Sequence, residues 1–328
     1  MPPSVGPIRP PPEAYSLLIR VTRNCPWNRC QFCSVFKGAS FELRTAAEVK
    51  EDILAARRIV DGIRELAQGT GQPVVETARF NGILWLEEGH VSSAFLQDSD
   101  TLIMKAEPLA EVVAFLCETF PTLDRVSSYA RGKTLARKKP EELRKLREAG
   151  LTRLYVGLET GDDELLASMQ KGATAEDMVQ AGMKAIEAGF ELSEYLMPGL
   201  GGRERWEQHV RNSARVLNEI NPHFVRLRTL HLAEGTPLYE KARRGEFHVQ
   251  TIEGVLTEIR RLIEELDVTS ELVTSDQVGN FFMGEIDARL PEEKGKLLEA
   301  IDRALAYWRA KGEPKRSPFL GSLNRFGV

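Results

Sequence analysis

Asn24-Cys25-Pro26-Trp27-Asn28-Arg29-Cys30-Gln31-Phe32-Cys33 holds three of the chain's four cysteines, spaced C-x4-C-x2-C. Thiolates this close in sequence converge on one metal centre once the backbone curls into a loop. The run just ahead, Tyr15-Ser16-Leu17-Leu18-Ile19-Arg20-Val21, is short, apolar and partly β-branched. It predicts a buried strand with the cysteines on the loop that leaves it. A four-iron cluster is usually held by four thiolates, and this loop offers three. One iron is then open to a further ligand, which chemistry requires and electron storage does not. Zinc is the other metal to weigh, but it normally takes a fourth Cys or His at short spacing, and the nearest histidine is His90.

Outward from this loop, apolar strands and helices alternate. The first strand is followed by predicted strands at 93–96, 125–129, 154–158, 190–197 and 224–230. Between them lie helical patterns from Thr45 to about 68, then 107–120, 140–149, a region ending at 188, and 205–220. Thr45 is an N-cap with Glu48 at the capping-box position, and Val49, Ile53, Ile59, Ile63 and Leu66 form the apolar stripe of that helix. Gly150 and Gly189 stop later helices. Six strand–helix units in alternation argue for parallel strands and right-handed crossovers. Residues 69–88 read as an insertion, with 82–86 a short helix or strand. Beyond Tyr239 the alternation ends in a helical stretch at 252–266, an extended run at 272–282 and a helix at 291–310. The expected organisation is a proline-rich surface lead-in (1–13), a core (14–240), a mainly helical extension (241–310) and a flexible basic tail (311–328).

In barrels of parallel strands, chemistry sits at the strands' carboxyl ends. That rule selects Asp98 and Asp100 after the second strand, and Ser128, Tyr129 and Arg131 after the third. It selects Glu159 after the fourth, Glu194 and Tyr195 ahead of Gly199-Leu200-Gly201-Gly202, and His231 and Glu234 after the sixth. Structural roles compete for each. Asp98 or Asp100 can cap the loop before Pro108 and Glu159 the following helix. Arg131 can pair with a helix-terminal carboxylate, and the glycine cluster can be a plain turn.

The strand, the three-cysteine loop and the aromatic Phe32 before the last cysteine resemble the radical S-adenosylmethionine (radical SAM) superfamily. Later segments resemble its coproporphyrinogen dehydrogenase-like and Elongator-like branch: Gly157-Leu158-Glu159-Thr160-Gly161, Lys171-Gly172, Gly199 to Gly202, and Gly235-Thr236-Pro237-Leu238-Tyr239. The chain departs from the commonest spacing, C-x3-C-x2-C, by one extra residue in the first gap. The resemblance implies an α/β fold, a partial (β/α)6 TIM-like barrel with an α-rich C-terminal extension. It implies that Cys25, Cys30 and Cys33 bind a 4Fe-4S cluster whose open iron is chelated by S-adenosylmethionine. Reductive cleavage then yields a 5′-deoxyadenosyl radical that abstracts hydrogen from an unidentified substrate. By the same resemblance Phe32 presents its backbone to the adenine, Asp98 or Asp100 holds the ammonium, and Glu159 meets the ribose or methionyl end. Lys171 stands opposite the carboxylate and Gly199 runs along the adenine, with Ser128, Arg131 and Glu194 as further cofactor contacts. An electron donor such as flavodoxin or ferredoxin is implied as partner, and the enzyme should be oxygen-sensitive.

Composition narrows the remaining classes. Hydrophobic content of 42% and charged content of 28% are those of an ordinary globule with ample core. A net charge of −4 gives no global field to attract nucleic acid or anionic membrane. No run of about eighteen apolar residues appears, and the first ten residues lack the apolar segment of a signal peptide. Clustered cysteines argue against a disulfide framework and for a reducing, cytoplasmic setting. Cys117, alone outside the triad, lies in the apolar run 114–117 and reads as a small buried hydrophobe. Methylthiotransferases of the superfamily need a second cluster, for which one cysteine does not suffice. The Asp-x-His-x-x-Gly signature of a cobalamin domain is absent, as is the further C-x-C cysteine of the porphyrinogen enzyme. The competing reading is a non-catalytic iron–sulfur or zinc-binding regulatory or scaffold protein on the same fold. A zinc hydrolase is disfavoured because no His-x-Glu or His-Glu-x-x-His occurs.

Overall fold

The computed structural model describes residues 4–275, 280–281, 287–312, 314 and 317–320. The chain forms two compact units. The first comprises the residues up to Pro26, Gly38–Tyr155 and Lys184–Glu191; the second comprises Trp27–Lys37, Val156–Met183 and the residues from Leu192 onward.

In the first unit the buried run after Ser16 becomes β1 (Leu17–Arg20), and β2 (Thr22–Arg23) pairs antiparallel with β3 (Glu42–Leu43). This ribbon brackets residues 24–41 in sequence. The long helix α1 (Ala46–Thr70) begins as its residues dictate: Thr45 Oγ1 accepts from the Glu48 amide at 3.2 Å, and Glu48 Oε2 accepts from the Thr45 amide at 2.7 Å. Its buried face runs through Val49, Ile53, Val60, Ile63 and Ala67, while Leu66 is 45% exposed. The expected stripe ended on the wrong residue because the helical step from Ile63 returns to the same face after four residues, at Ala67, rather than three. After α2 (Val74–Phe80), residues 82–86 are turns rather than a helix or strand.

β4 (Ser93–Gln97), buried at every position, runs parallel to β1 with Leu17 opposite Ala94. α3 (Ala106–Thr119) returns the chain to β5 (Arg125–Ala130), parallel to β4 with Ser93 opposite Arg125. Then come α4 (Gly132–Arg137), α5 (Pro140–Glu148) with Pro140 in its first turn, and β6 (Arg153–Glu159), which carries the chain into the second unit. Phe95, Tyr129 and Tyr155 pack edge to face, with ring centroids 5.1 to 6.2 Å apart. The proline-rich lead-in is more than a surface strand. Glu13 is buried and accepts a hydrogen bond from Tyr155 Oη at 2.8 Å, and Gln97 bonds the Gly6 amide and the Ile8 carbonyl.

The alternation continues through α6 (Asp163–Ser168), α7 (Ala175–Glu187), β7 (Glu191–Leu196), α8 (Gly202–Ile220) and β8 (Phe224–Leu227), all in the second unit except Lys184–Glu191. β7 and β8 are parallel, with Ser193 opposite Phe224. α9 (Pro237–Arg243) starts at the Thr236 cap, and α10 (Ile252–Glu265) starts at the Thr251 cap. β9 (Glu271–Val273) extends the pairing parallel to β8, and β10 (Ala288–Arg289) adds an antiparallel edge. α11 (Lys294–Lys311) follows. The extended run expected at 272–282 is strand only at 272–273, the end of β9; 274, 275, 280 and 281 are not in strands, and 276–279 and 282 lie outside the described residues. The expected tail also lies largely outside them, but its described part is anchored: Phe319 is buried and its carbonyl accepts from the Leu232 amide at 2.8 Å. Among the described residues no helix is long and apolar enough to cross a membrane.

Candidate cofactor site

Cys25 is positioned by the residue before it. Asn24 takes φ +68°, a left-handed conformation that asparagine tolerates better than most residues. Its amide donates to Asp98 Oδ2 at 2.7 Å, and Arg20 Nε donates to the same oxygen at 2.9 Å. Asn24 Nδ2 reaches the Ser40 carbonyl at 2.6 Å. Asp98, buried at the exit of β4, therefore fixes the approach to the first cysteine. Burial raises its carboxyl above the usual range, opposed by the Asn24 amide and Arg20. Its Oδ1 has no hydrogen-bond partner and is covered by Gly6, where a Cβ would come within 1.9 Å of it. Asp100 is engaged with the next strand's exit: it accepts from the Arg131 amide at 3.2 Å and from Thr134 Oγ1 at 2.6 Å. Burial pushes its carboxyl up to about 6 against those two bonds and the charges of Arg131 and Lys138. Ser128 Oγ donates to the Leu96 carbonyl at 3.1 Å. In the first unit Asp98 and Arg20 brace the residue ahead of Cys25, while Asp100 and Ser128 tie β4 and its exit to β5.

The segment bearing Cys30 and Cys33 is pinned within the second unit. Trp27 Nε1 donates to the Gln170 carbonyl at 2.6 Å, and the Arg29 guanidinium stacks 5.0 Å from the Trp27 ring centroid. The Gln31 amide donates to the Met169 carbonyl and the Gln31 carbonyl accepts from the Leu238 amide, each at 3.0 Å. The loop is thereby tied to the end of α6 on one side and the start of α9 on the other. Phe32 packs against the apolar cluster of Leu165, Met169, Leu200, Leu230, Leu232 and Leu238. The Cys33 amide donates to the Cys30 carbonyl at 3.4 Å, closing the x2 gap into a turn.

Three of the charged residues singled out from sequence meet at the carboxyl ends of β6 and β7. Lys171 Nζ and Glu159 Oε1 are 2.9 Å apart with 13% and 15% of their side chains exposed. Glu159 leaves β6 with φ +63°, and its carboxylate folds back over Gly157, where a Cβ would come within 2.3 Å of Glu159 Oε1. Gly157 is thus the space the ion pair occupies. Glu194 on β7 is buried and neither oxygen has a well-formed hydrogen bond. Burial holds its carboxyl well above the ordinary range, with Glu159 adding to the rise and Lys171 and the Leu158 amide opposing it. The Met197 amide donates to the Glu159 carbonyl at 3.0 Å, linking this corner to the turn at Gly199, which takes φ +86°.

Glu159, Lys171 and Glu194 are brought together; Cys25, Asp98, Asp100, Ser128 and Arg131 belong to the first unit. None of the four cysteines forms a disulfide, and among the described residues no three His, Cys, Asp or Glu side chains gather around a point that could hold a metal ion. The donor chemistry nonetheless suits the expected groups. Clustered thiols are iron–sulfur ligands. A carboxylate–ammonium pair beside a second, under-satisfied carboxyl offers both signs of charge that a zwitterionic amino acid with ribose hydroxyls needs. Sequence reasoning missed Arg20 and Asn24, the docking of Trp27, and Thr160, His209 and Glu258. The last two carried a signal: each is a lone titratable group on an otherwise apolar helix face, between His209, Val210, Ala214 and Leu217 on α8 and Val255, Ile259 and Leu262 on α10.

Comparison with known proteins agrees with this chemistry. The tRNA uridine(34) acetyltransferase of Methanocaldococcus jannaschii is 31% identical over 113 residues, 33% of this chain and 20% of that protein. The heme chaperone HemW of Bacillus subtilis is 26% identical over 181 residues, 55% of this chain and 43% of that protein. The chain thus spans a fifth of the acetyltransferase and under half of the heme chaperone. Among solved structures, coproporphyrinogen III oxidase of Escherichia coli, a radical SAM enzyme, shares the fold with a TM-score of 0.52 at 16% identity, over 93% of this chain and 62% of that one. The radical SAM superfamily model matches residues 19–214, more than half of the chain. The chain belongs to the radical SAM superfamily, enzymes of a partial TIM-like barrel fold that use a 4Fe-4S cluster and S-adenosylmethionine.

Proposed function

We propose that Cys25, Cys30 and Cys33 hold the 4Fe-4S cluster and that Glu159, Lys171 and Glu194 receive S-adenosylmethionine. The observation that carries this is the C-x4-C-x2-C loop leaving β1 within the matched stretch. When bound, the cluster and S-adenosylmethionine supply one-electron cleavage to methionine and a 5′-deoxyadenosyl radical that takes a hydrogen atom from an organic substrate. The chain's own residues orient and shield. Lys171 offers the countercharge for a carboxylate, and Glu159 accepts from an ammonium or a ribose hydroxyl. Glu194, whose carboxyl burial holds above the ordinary range, faces a hydroxyl. Phe32 anchors the Cys30–Cys33 turn on the apolar cluster beneath it. We assign this role to residues 14–240, with a flavodoxin- or ferredoxin-type electron donor and a reducing, cytoplasmic setting, supported by the clustered thiols.

The test is anaerobic reconstitution followed by dithionite and S-adenosylmethionine. About four irons per chain and release of 5′-deoxyadenosine and methionine are expected. Stoichiometric zinc without iron uptake, or iron uptake with no cleavage, overturns the assignment.

A further inference from the structure

The second unit contains a pair of buried titratable side chains that the cofactor contacts do not use. His209 on α8 and Glu258 on α10 are each 1% exposed, and His209 Nε2 lies 3.4 Å from Glu258 Oε1. Each also reaches a different loop at the carboxyl end of a strand. Glu258 Oε1 accepts from the Gly199 amide at 2.7 Å. His209 Nδ1 bonds Thr160 Oγ1 at 2.7 Å, and Thr160 Oγ1 in turn accepts from the Asp162 amide at 3.1 Å. Ser213, one turn after His209 on α8, accepts from the Gly161 amide at 2.9 Å. Thr160 directly follows Glu159, the residue that leaves β6 at positive φ.

Apart from Ser213, the buried residues around the pair on α8 and α10 are apolar, so a histidine and a glutamate there cost desolvation that leucine would not. In return, Glu258 satisfies the buried Gly199 amide, and His209 holds the Thr160 hydroxyl that accepts from the Asp162 amide. The height of the Gly199 turn is set by Glu258 and that of the Glu159–Thr160 corner by His209, and the two settings meet at one contact.

We propose that His209 and Glu258 are a positioning pair that holds the Glu159 corner and the Gly199 turn for S-adenosylmethionine, making α10 of the C-terminal extension part of the cofactor site's support. The proposal rests on the cofactor assignment above. Neither side chain touches the cofactor; both act through the loops they bond.

The experiment uses the reconstituted full chain and compares Glu258→Ala, Glu258→Gln and Thr160→Val with the parent. Iron content, the dissociation constant for S-adenosylmethionine from its perturbation of the reduced cluster's electron paramagnetic resonance, and amide exchange over 197–202 are measured. Glu258→Ala should keep its iron, bind S-adenosylmethionine about tenfold more weakly and exchange the Gly199 amide faster. Glu258→Gln should restore both, because its amide oxygen still accepts from Gly199. Thr160→Val should weaken binding with little change at 197–202. A folded Glu258→Ala that binds like the parent overturns the proposal, as does faster exchange without weaker binding. If Glu258→Ala does not fold, parent-like binding by Thr160→Val overturns it. A parent that takes up iron but binds no S-adenosylmethionine overturns the cofactor assignment and this inference with it.

Discussion

Trp27 is seated on Gly172: a Cβ at that glycine would come within 2.4 Å of the indole, and the indole N–H donates to the carbonyl of Gln170. The two contacts flank Lys171, the partner of Glu159. Trp27 lies in the first gap of the cysteine motif, the gap with one residue more than the common spacing. The longer loop is therefore not slack. It carries an aromatic anchor that joins the cysteine segment to the turn presenting Lys171.

Gly172→Ala should consequently be costly on two counts. Its φ of +73° is a left-handed conformation that costs an alanine about 1–2 kcal/mol, and the new methyl displaces Trp27. The variant should melt several degrees below the parent and cleave S-adenosylmethionine more slowly while retaining iron. In a double-mutant cycle, Trp27→Ala should remove part of the Gly172→Ala penalty. Additive losses by thermal denaturation would show that the two do not communicate.

Glu159 allows binding and backbone effects to be separated. Glu159→Ala and Glu159→Gly both remove the carboxylate facing Lys171, so both should reduce 5′-deoxyadenosine release by roughly tenfold or more, the scale of a lost charge-assisted bond, with iron unchanged. Glycine alone accepts φ +63° without strain, so Glu159→Gly should melt at or above Glu159→Ala. Cleavage at the parent rate in either variant would reduce Glu159 to a corner residue.

Cysteine replacements should sort by role. Cys25→Ala, Cys30→Ala and Cys33→Ala should each lose reconstituted iron. Cys117, on α3, packs its sulfur where a Cβ on Gly150 would come within 2.6 Å, and burial raises its thiol pKa. Cys117→Ala should keep the iron and lose about 1 kcal/mol or less of stability. Iron loss on that change would reveal a misassigned ligand.

The strand–helix alternation was legible because strands buried along their length and amphipathic helices write their periods into the sequence. Thr45–Glu48 marked a helix start through local chemistry alone. The cysteine triad was legible as a motif, and Glu159 and Lys171 as separate members of a resemblance, though not as a pair. What stayed hidden depends on contacts distant in sequence. The bond from Asp98 to the amide of Asn24 joins residues 74 apart, and that from Gly199 to Glu258 joins residues 59 apart. No local pattern announces that an aspartate will hold a loop backbone, or that a carboxylate on the apolar face of α10 will satisfy a turn.

The same buried pair gives a pH signature whose sign can be worked out. Burial pushes the Glu258 carboxyl from 4.5 up to about 8, opposed by the Gly199 amide. Burial pulls His209 from 6.5 down to about 4, opposed by the Met197 backbone and the charge of Asp162. Between 4.5 and 8 the folded state holds the Glu258 proton that the unfolded chain has released, so this group's stabilisation falls as pH rises. Between 4 and 6.5 the unfolded chain protonates His209 and the folded state does not, so that contribution falls as pH drops. The opposed slopes cancel where the windows overlap, from 4.5 to 6.5. Of the pair only Glu258 contributes above 6.5, and there the parent's stability should fall relative to a variant lacking the carboxyl with a limiting difference of about 1.4 kcal/mol per pH unit until the carboxyl has titrated near 8. Glu258→Gln removes that contribution and exposes the histidine, so between pH 4 and 6.5 the variant's stability should rise relative to the parent's, and above 6.5 it should fall less steeply than the parent's. Thermal melts of the anaerobic reconstituted parent and variant, taken at half-unit pH steps, read both curves. Parallel profiles for the two proteins would show that Glu258 carries no raised pKa in the fold.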